Sequence, residues 1–171
     1  MYNELVSEIK KKSQIRRIGG YLKEITTFTD SSGKIMQQYI QPIMTEFRLR
    51  DFLQVIVGAT LLAVPVAFTE EVWGLGSSLP LFNVLTLSFL GLLFISFFVY
   101  FNFYRFHFKE NKLQFLIRVF SIFLYSHIVV ALILTIIKKA PWDADLMLAL
   151  KRVLIISFPA TMSAAISDNI K

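Results

Sequence analysis

Cysteine is absent from this 171-residue chain, which excludes disulfide scaffolds, thiolate zinc sites and cysteine nucleophiles and leaves the redox compartment open. Acids are the scarcer charge: twelve Asp and Glu stand against eighteen Lys and Arg, for a formal net charge of +6 and a pI near 9.6. In a water-soluble chain that balance would raise nucleic acid as a partner. Here the charges fall mostly outside long apolar runs, so the excess reads as membrane topology, and no nucleic acid is expected. Catalytic signatures are missing as well. There is no Walker loop, no GxGxxG, no HExxH-like spacing and no nucleophilic elbow around a serine, so the chain reads as non-enzymatic and without a cofactor. The two histidines, His107 and His127, lie far apart in sequence and topology, and no structural zinc is expected.

What is present is apolar surface. Hydrophobic residues make up 55% of the chain and aromatics 15%, with a mean hydropathy of +0.58, more than a soluble domain of this length usually carries. The fold class expected is all-α: a polytopic membrane protein with four transmembrane helices in residues 51–171, behind a basic amphipathic helical region in residues 1–50. The spans are expected at about 52–70, 82–104, 118–138 and 147–167. The uncharged run from Phe52 to Thr69 would cover about 27 Å at helical rise, close to one hydrocarbon core. The fourth span is interrupted by Lys151 and Arg152, which must snorkel, pair or sit where the bilayer is thin or wet.

In the N-terminal region, Tyr2, Leu5, Val6, Ile9, Ile18, Tyr21, Leu22 and Ile25 recur at roughly helical spacing among six Lys and Arg. Gly19-Gly20 would interrupt this helix, Asp30 to Gly33 reads as a turn, and a second short helix is expected from Ile35 to Phe47 despite Pro42. A solvated cytosolic cap is the plain reading; a segment lying on anionic lipid is the alternative. No cleavable signal is expected, because no apolar h-region follows the first residues. Nine Lys and Arg in the N-terminal region, with Arg105, Lys109, Lys112 and Arg118 between the second and third spans, place both termini in the cytoplasm of a multi-pass cell-membrane protein.

The spans differ in chemistry. The second and third are bulky; the first carries Gly58, Ala59, Thr60, Ala63, Pro65 and Ala67, and the fourth carries Ser157, Pro159, Ala160, Thr161, Ser163, Ala164 and Ala165. Small residues permit close helix approach, so these two spans are expected to face protein. Thr60, Ala63 and Ala67 lead toward Glu70 and Glu71, while Ser157 and Thr161 lead toward Asp168. Carboxylates at helix C-termini oppose the macrodipole and call for a nearby cation. Lys151 and Arg152 are charge-pair candidates for Glu70 and Glu71. The sharper expectation is an acidic ring in a homo-oligomer, where Glu70 and Glu71 form a transient metal or other cation site at the outer mouth and Asp168 an inner one. The function expected is therefore an oligomeric cation channel or passive ion pathway. A proton-coupled small-solute transporter using His127 as proton sensor, and a non-transporting membrane scaffold, are the alternatives. The lipid bilayer and inorganic cations are the expected partners.

The first span ends in Val64-Pro65-Val66-Ala67-Phe68-Thr69-Glu70-Glu71-Val72-Trp73, and the last contains Phe158-Pro159-Ala160-Thr161-Met162-Ser163-Ala164-Ala165-Ile166-Ser167-Asp168. With the basic N-terminal region, this pattern resembles a family of small uncharacterised prokaryotic four-span integral membrane proteins. The resemblance covers most of residues 50 to 171 and implies an all-helical membrane fold. It implies no substrate and no catalytic residue.

Overall fold

A computed structural model describes residues 10–19, 21–30, 33–42, 46–106, 108–109 and 111–170. The chain divides into two compact units, Met1–Glu46 and Phe47–Lys171.

Among the described residues the first unit is a sheet, which corrects the helices expected between Ile18 and Ile25 and from Ile35 on. Strands β1 (Lys10–Ile18), β2 (Tyr21–Thr29) and β3 (Ile35–Pro42) form an antiparallel meander in the order β1-β2-β3. The helical spacing expected here rests on few apolar residues, and Ile25-Thr26-Thr27-Phe28-Thr29 is a β-branched and aromatic run suited to a strand. Ile18 pairs with Tyr21, so the interruption expected at the glycine pair is a tight strand connection, and Gly19 adopts φ +61°. The expected turn at Asp30–Gly33 is present: the Gly33 N–H donates to the Asp30 carbonyl at 3.0 Å, and Gly33 adopts φ +83°. The start of the expected second helix, Ile35–Pro42, is instead β3, with Pro42 at its end on an edge strand, where no ladder donor is needed, and residues 43–45 lie outside the described residues. Tyr2, Leu5, Val6 and Ile9 lie outside the described residues.

The second unit holds five helices. These are α1 (Leu49–Ala67), α2 (Glu70–Ser78), α3 (Leu81–Val99) continued by a π-helical turn at Tyr100–Tyr104, α4 (Lys112–Ile136) and α5 (Leu146–Asp168). Four are long and apolar enough to cross a membrane: Leu49–Ala67, Leu81–Tyr104, Lys112–Ile136 and Leu146–Asp168. The N-terminus of α1 is capped by Asp51, whose Oδ2 accepts from the Arg48 N–H at 3.0 Å; that of α5 is capped by Asp145, which accepts from the Leu148 N–H at 2.9 Å. The α5 helix is central and packs against all four of the others.

The small residues do bring the first and last spans together. A Cβ placed on Gly58 would lie 2.4 Å from the Ser167 Cβ, 2.8 Å from the Ser163 carbonyl oxygen and 2.9 Å from the Ala164 Cα, so the two backbones are in direct contact there. Ala59, Ala63 and Ala67 of α1 and Ala160 and Ala164 of α5 are fully buried in the same core. The third span is not purely lipid-facing: Val119, Ile122, Ser126, Val130 and Leu134 line a buried stripe at helical spacing.

The first span ends three residues earlier than its expected limit. The Trp73 indole N–H donates to the Ala67 carbonyl at 2.7 Å and satisfies one of the C-terminal acceptors of α1, and the chain restarts as α2 after Thr69. Gly74-Leu75-Gly76 sits on this helix. Gly76 is required by packing, since a Cβ there would meet the Arg152 Cγ at 2.6 Å.

Candidate functional site

The alternating direction of the spans brings the start of α1, the end of the second span, the start of α4 and the end of α5 to one end of the bundle. Each contributes one polar side chain to a single buried cluster. Arg118 of α4 donates through one terminal nitrogen to Asp168 Oδ2 at 2.7 Å, and its other terminal nitrogen lies 3.4 Å from Asp51 Oδ2. A side-chain hydrogen bond links the guanidinium to the Tyr104 hydroxyl. Arg118, Tyr104 and Asp168 have no exposed surface, and Asp51 is 3% exposed. The guanidinium carbon also stands over the Phe103 ring at 4.1 Å and the Phe47 ring at 5.6 Å.

Local backbone explains how Tyr104 arrives. The buried residues of α3 are Val84, Gly91, Ile95 and Val99, and continued α-helical spacing would next bury Asn102 or Phe103. The π-helical turn widens the step to five residues, so Tyr104 follows Val99 on the inner side and Phe101 stays exposed. Phe115 supports the tyrosine edge-on at 5.5 Å. The cluster gathers one guanidinium and two carboxylates in a low-dielectric setting, where charges interact strongly and a lost partner is costly.

Of the residues singled out from sequence, Asp168 alone belongs to this cluster. Ala63, Ala67, Ser157 and Thr161 are buried within one chain, in the seam around α5, so they do not face an axis between subunits as expected. Thr60 is half-buried, with its hydroxyl donating to the Ile56 carbonyl at 2.8 Å, and Thr161 donates to the Phe158 carbonyl at 2.8 Å. The Ser157 hydroxyl is buried and makes no hydrogen bond among the described residues.

Glu70 and Glu71 are exposed and occupy the first turn of α2. That corrects their expected place at a helix C-terminus: the break at Phe68–Thr69 puts them at a helix N-terminus, where the macrodipole favours them and no compensating cation is required. Accordingly, no ion pair joins them to Lys151 or Arg152 among the described residues. Lys151 donates to the Leu79 carbonyl at 2.6 Å, and Arg152 to the Lys139 carbonyl at 2.7 Å and the Trp73 carbonyl at 3.3 Å. The two cations thus fasten α5 to the connections at the other end of the bundle. Lys139 stands 3.9 Å from the centre of the Trp73 ring, and the Trp142 indole donates to Thr135 at 2.8 Å.

His127 donates through Nδ1 to the Phe123 carbonyl at 2.7 Å, while its buried Nε2 has no partner among the described residues. His107 lies outside the described residues. No group of three His, Asp or Glu side chains able to hold a metal occurs among the described residues, Glu70 and Glu71 included.

Sequence reading missed Asp51, Tyr104 and Arg118. By sequence Arg118 bounds the third span, yet α4 begins at Lys112, nearly two turns earlier. The available signal was an Arg and an Asp abutting uncharged runs at the same expected side of the membrane.

Four apolar helices around a buried polar cluster define a helical, multi-pass integral membrane protein. Residues 21–168 match the family described as "Putative integral membrane protein (DUF2391)", and the chain belongs to that family. No curated protein and no solved structure matches the chain.

Proposed function

We propose that the protein is a passive pathway for protons across the bilayer, with Asp168, Asp51, Arg118 and Tyr104 as its proton-handling site at the cytoplasmic end. The observation that carries this reading is the convergence of two carboxylates on one guanidinium, all buried, with one polar residue from each span. Ionisable groups buried within membrane-spanning helices are uncommon and mark ion pathways and proton relays. Ser157 and Thr161 lie on the same face of α5 as Asp168 and extend the polar line toward the other end. The choice of a proton over a metal cation follows from size and charge. Backbones touch at Gly58, and a guanidinium stands at either end of α5, in Arg118 and Arg152, opposing a hydrated metal ion while leaving side-chain proton transfer open. No ring of subunits is needed, because the seam lies within one chain.

The test is decay of a pH gradient across liposomes holding the purified protein. Wild type is expected to dissipate the gradient faster than empty vesicles, and Asp168→Asn to slow that decay at least about tenfold with its helix content intact. Equal decay in both would overturn the reading, and sodium or potassium flux without proton flux would overturn the choice of ion. A second reading, a non-transporting membrane scaffold clasped by the same cluster, draws on the closed contact at Gly58; vesicles tight to every gradient would support it.

A further inference from the structure

The register of the N-terminal sheet sorts its charges by face. Residues paired directly across strands share a face, so Lys10, Lys12 and Arg16 of β1 lie with Lys23 and Ile25 of β2 and Ile40 of β3. That face carries four cations and no acid among the described residues. The opposite face is mixed: the register places Lys11 and Arg17 there with the acid Glu24, to which Ser13 donates at 2.5 Å, and Phe28 meets Tyr39 edge-on at 6.1 Å. Lys10, Lys12, Arg16 and Ile40 are exposed, and Lys23 and Ile25 half-exposed. Among the described residues of this unit no further element packs on either face.

We infer that the Lys10–Lys12–Arg16–Lys23 face is a docking surface for anionic phospholipid, in the leaflet that the chain's own first span enters. Charge complementarity selects this occupant: four cations at one level match a layer of phosphates, whereas the same face of a second copy is repelled. Ile25 and Ile40 supply apolar contact beside the cations. Covalent linkage favours it further. Only residues 43–48 separate Pro42 from Leu49 in the chain, so docking on that leaflet is intramolecular in effect. The positive excess first read as topology alone is therefore organised on one face of a folded element.

The absence of cysteine makes the test direct, because a single introduced thiol takes a unique label. Full-length protein carrying Ile40→Cys on the basic face, or Tyr39→Cys on the opposite one, is labelled with an environment-sensitive fluorophore and placed in nanodiscs. The discs are either neutral phosphatidylcholine or a mixture with phosphatidylglycerol. The label at position 40 is expected to lose access to aqueous iodide several-fold in the anionic discs only, to regain it in high salt, and the label at position 39 to stay open throughout. Each of Lys10→Gln, Lys12→Gln and Lys23→Gln is expected to weaken docking about fivefold. Equal access at both positions in all discs would overturn the inference. Shielding at position 40 that is the same in neutral discs and insensitive to salt would overturn it too, by assigning the face to a protein partner.

Discussion

Arg118 is the largest fully buried side chain among the described residues, and its two ends of charge complementarity, Asp168 and Asp51, come from helices far apart in sequence. Removing it leaves two carboxylates in apolar surroundings. Arg118→Ala is expected to destabilise the bundle by about 3–5 kcal/mol, read from thermal unfolding in detergent. Arg118→Lys is expected to recover only part of this, since one ammonium cannot span two acceptors and stack on Phe103 as a planar fork does. An Arg118→Ala protein as stable as wild type would mean that the cluster holds nothing together. At this scale the sequence was only partly legible. Asp168 stood out because it closes a polar face of the last span. Asp51 and Arg118 did not, because each sits beside an apolar run and only helix rotation decides whether it points in. Tyr104 was hidden by the π-helical turn, a backbone irregularity with no composition of its own.

Elements follow the same division. Four spans were legible because bilayer thickness sets the length of an apolar run, and limits shifted by only a few residues except at the start of α4. The N-terminal strands were misread because short mixed segments fit either period, and the break between α1 and α2 because it depends on Trp73 reaching back to Ala67. Glycine substitutions test the packing of these elements. Gly58→Ala is expected to cost about 1–3 kcal/mol, since α1 and α5 must separate to admit a methyl group. Gly74→Ala, where a Cβ meets nothing within 4 Å, is expected to stabilise α2 by up to about 1 kcal/mol. Comparable melting shifts for both would contradict the close contact at Gly58. The end of α4 offers a further check. Lys138 adopts φ +56°, a left-handed conformation that glycine takes without strain, so Lys138→Gly is expected to raise stability by about 0.5–1 kcal/mol in the same melts.

At the scale of the membrane domain, opposite chemistries occupy its two ends. One holds the Arg118 cluster, with carboxylates as partners; the other holds Lys151 and Arg152, bonded to backbone carbonyls of α2, of Leu79 just after it and of the connection between α4 and α5. Sequence foresaw that the small-residue spans face protein, and family membership agrees with an integral membrane protein. It did not distinguish a seam inside one chain from a face between chains, because small residues serve both. That difference moves the proposed chemistry from exposed acids at the mouth of an oligomer to buried acids within a subunit. The most direct measurement is decay of a pH gradient in liposomes holding, in parallel, wild type, the Glu70→Gln/Glu71→Gln double variant and Asp168→Asn. The proposed pathway requires that the double variant conduct protons as wild type does and that Asp168→Asn lose most of the flux. Loss in the double variant with full flux in Asp168→Asn would place the working acids at the other end and contradict it.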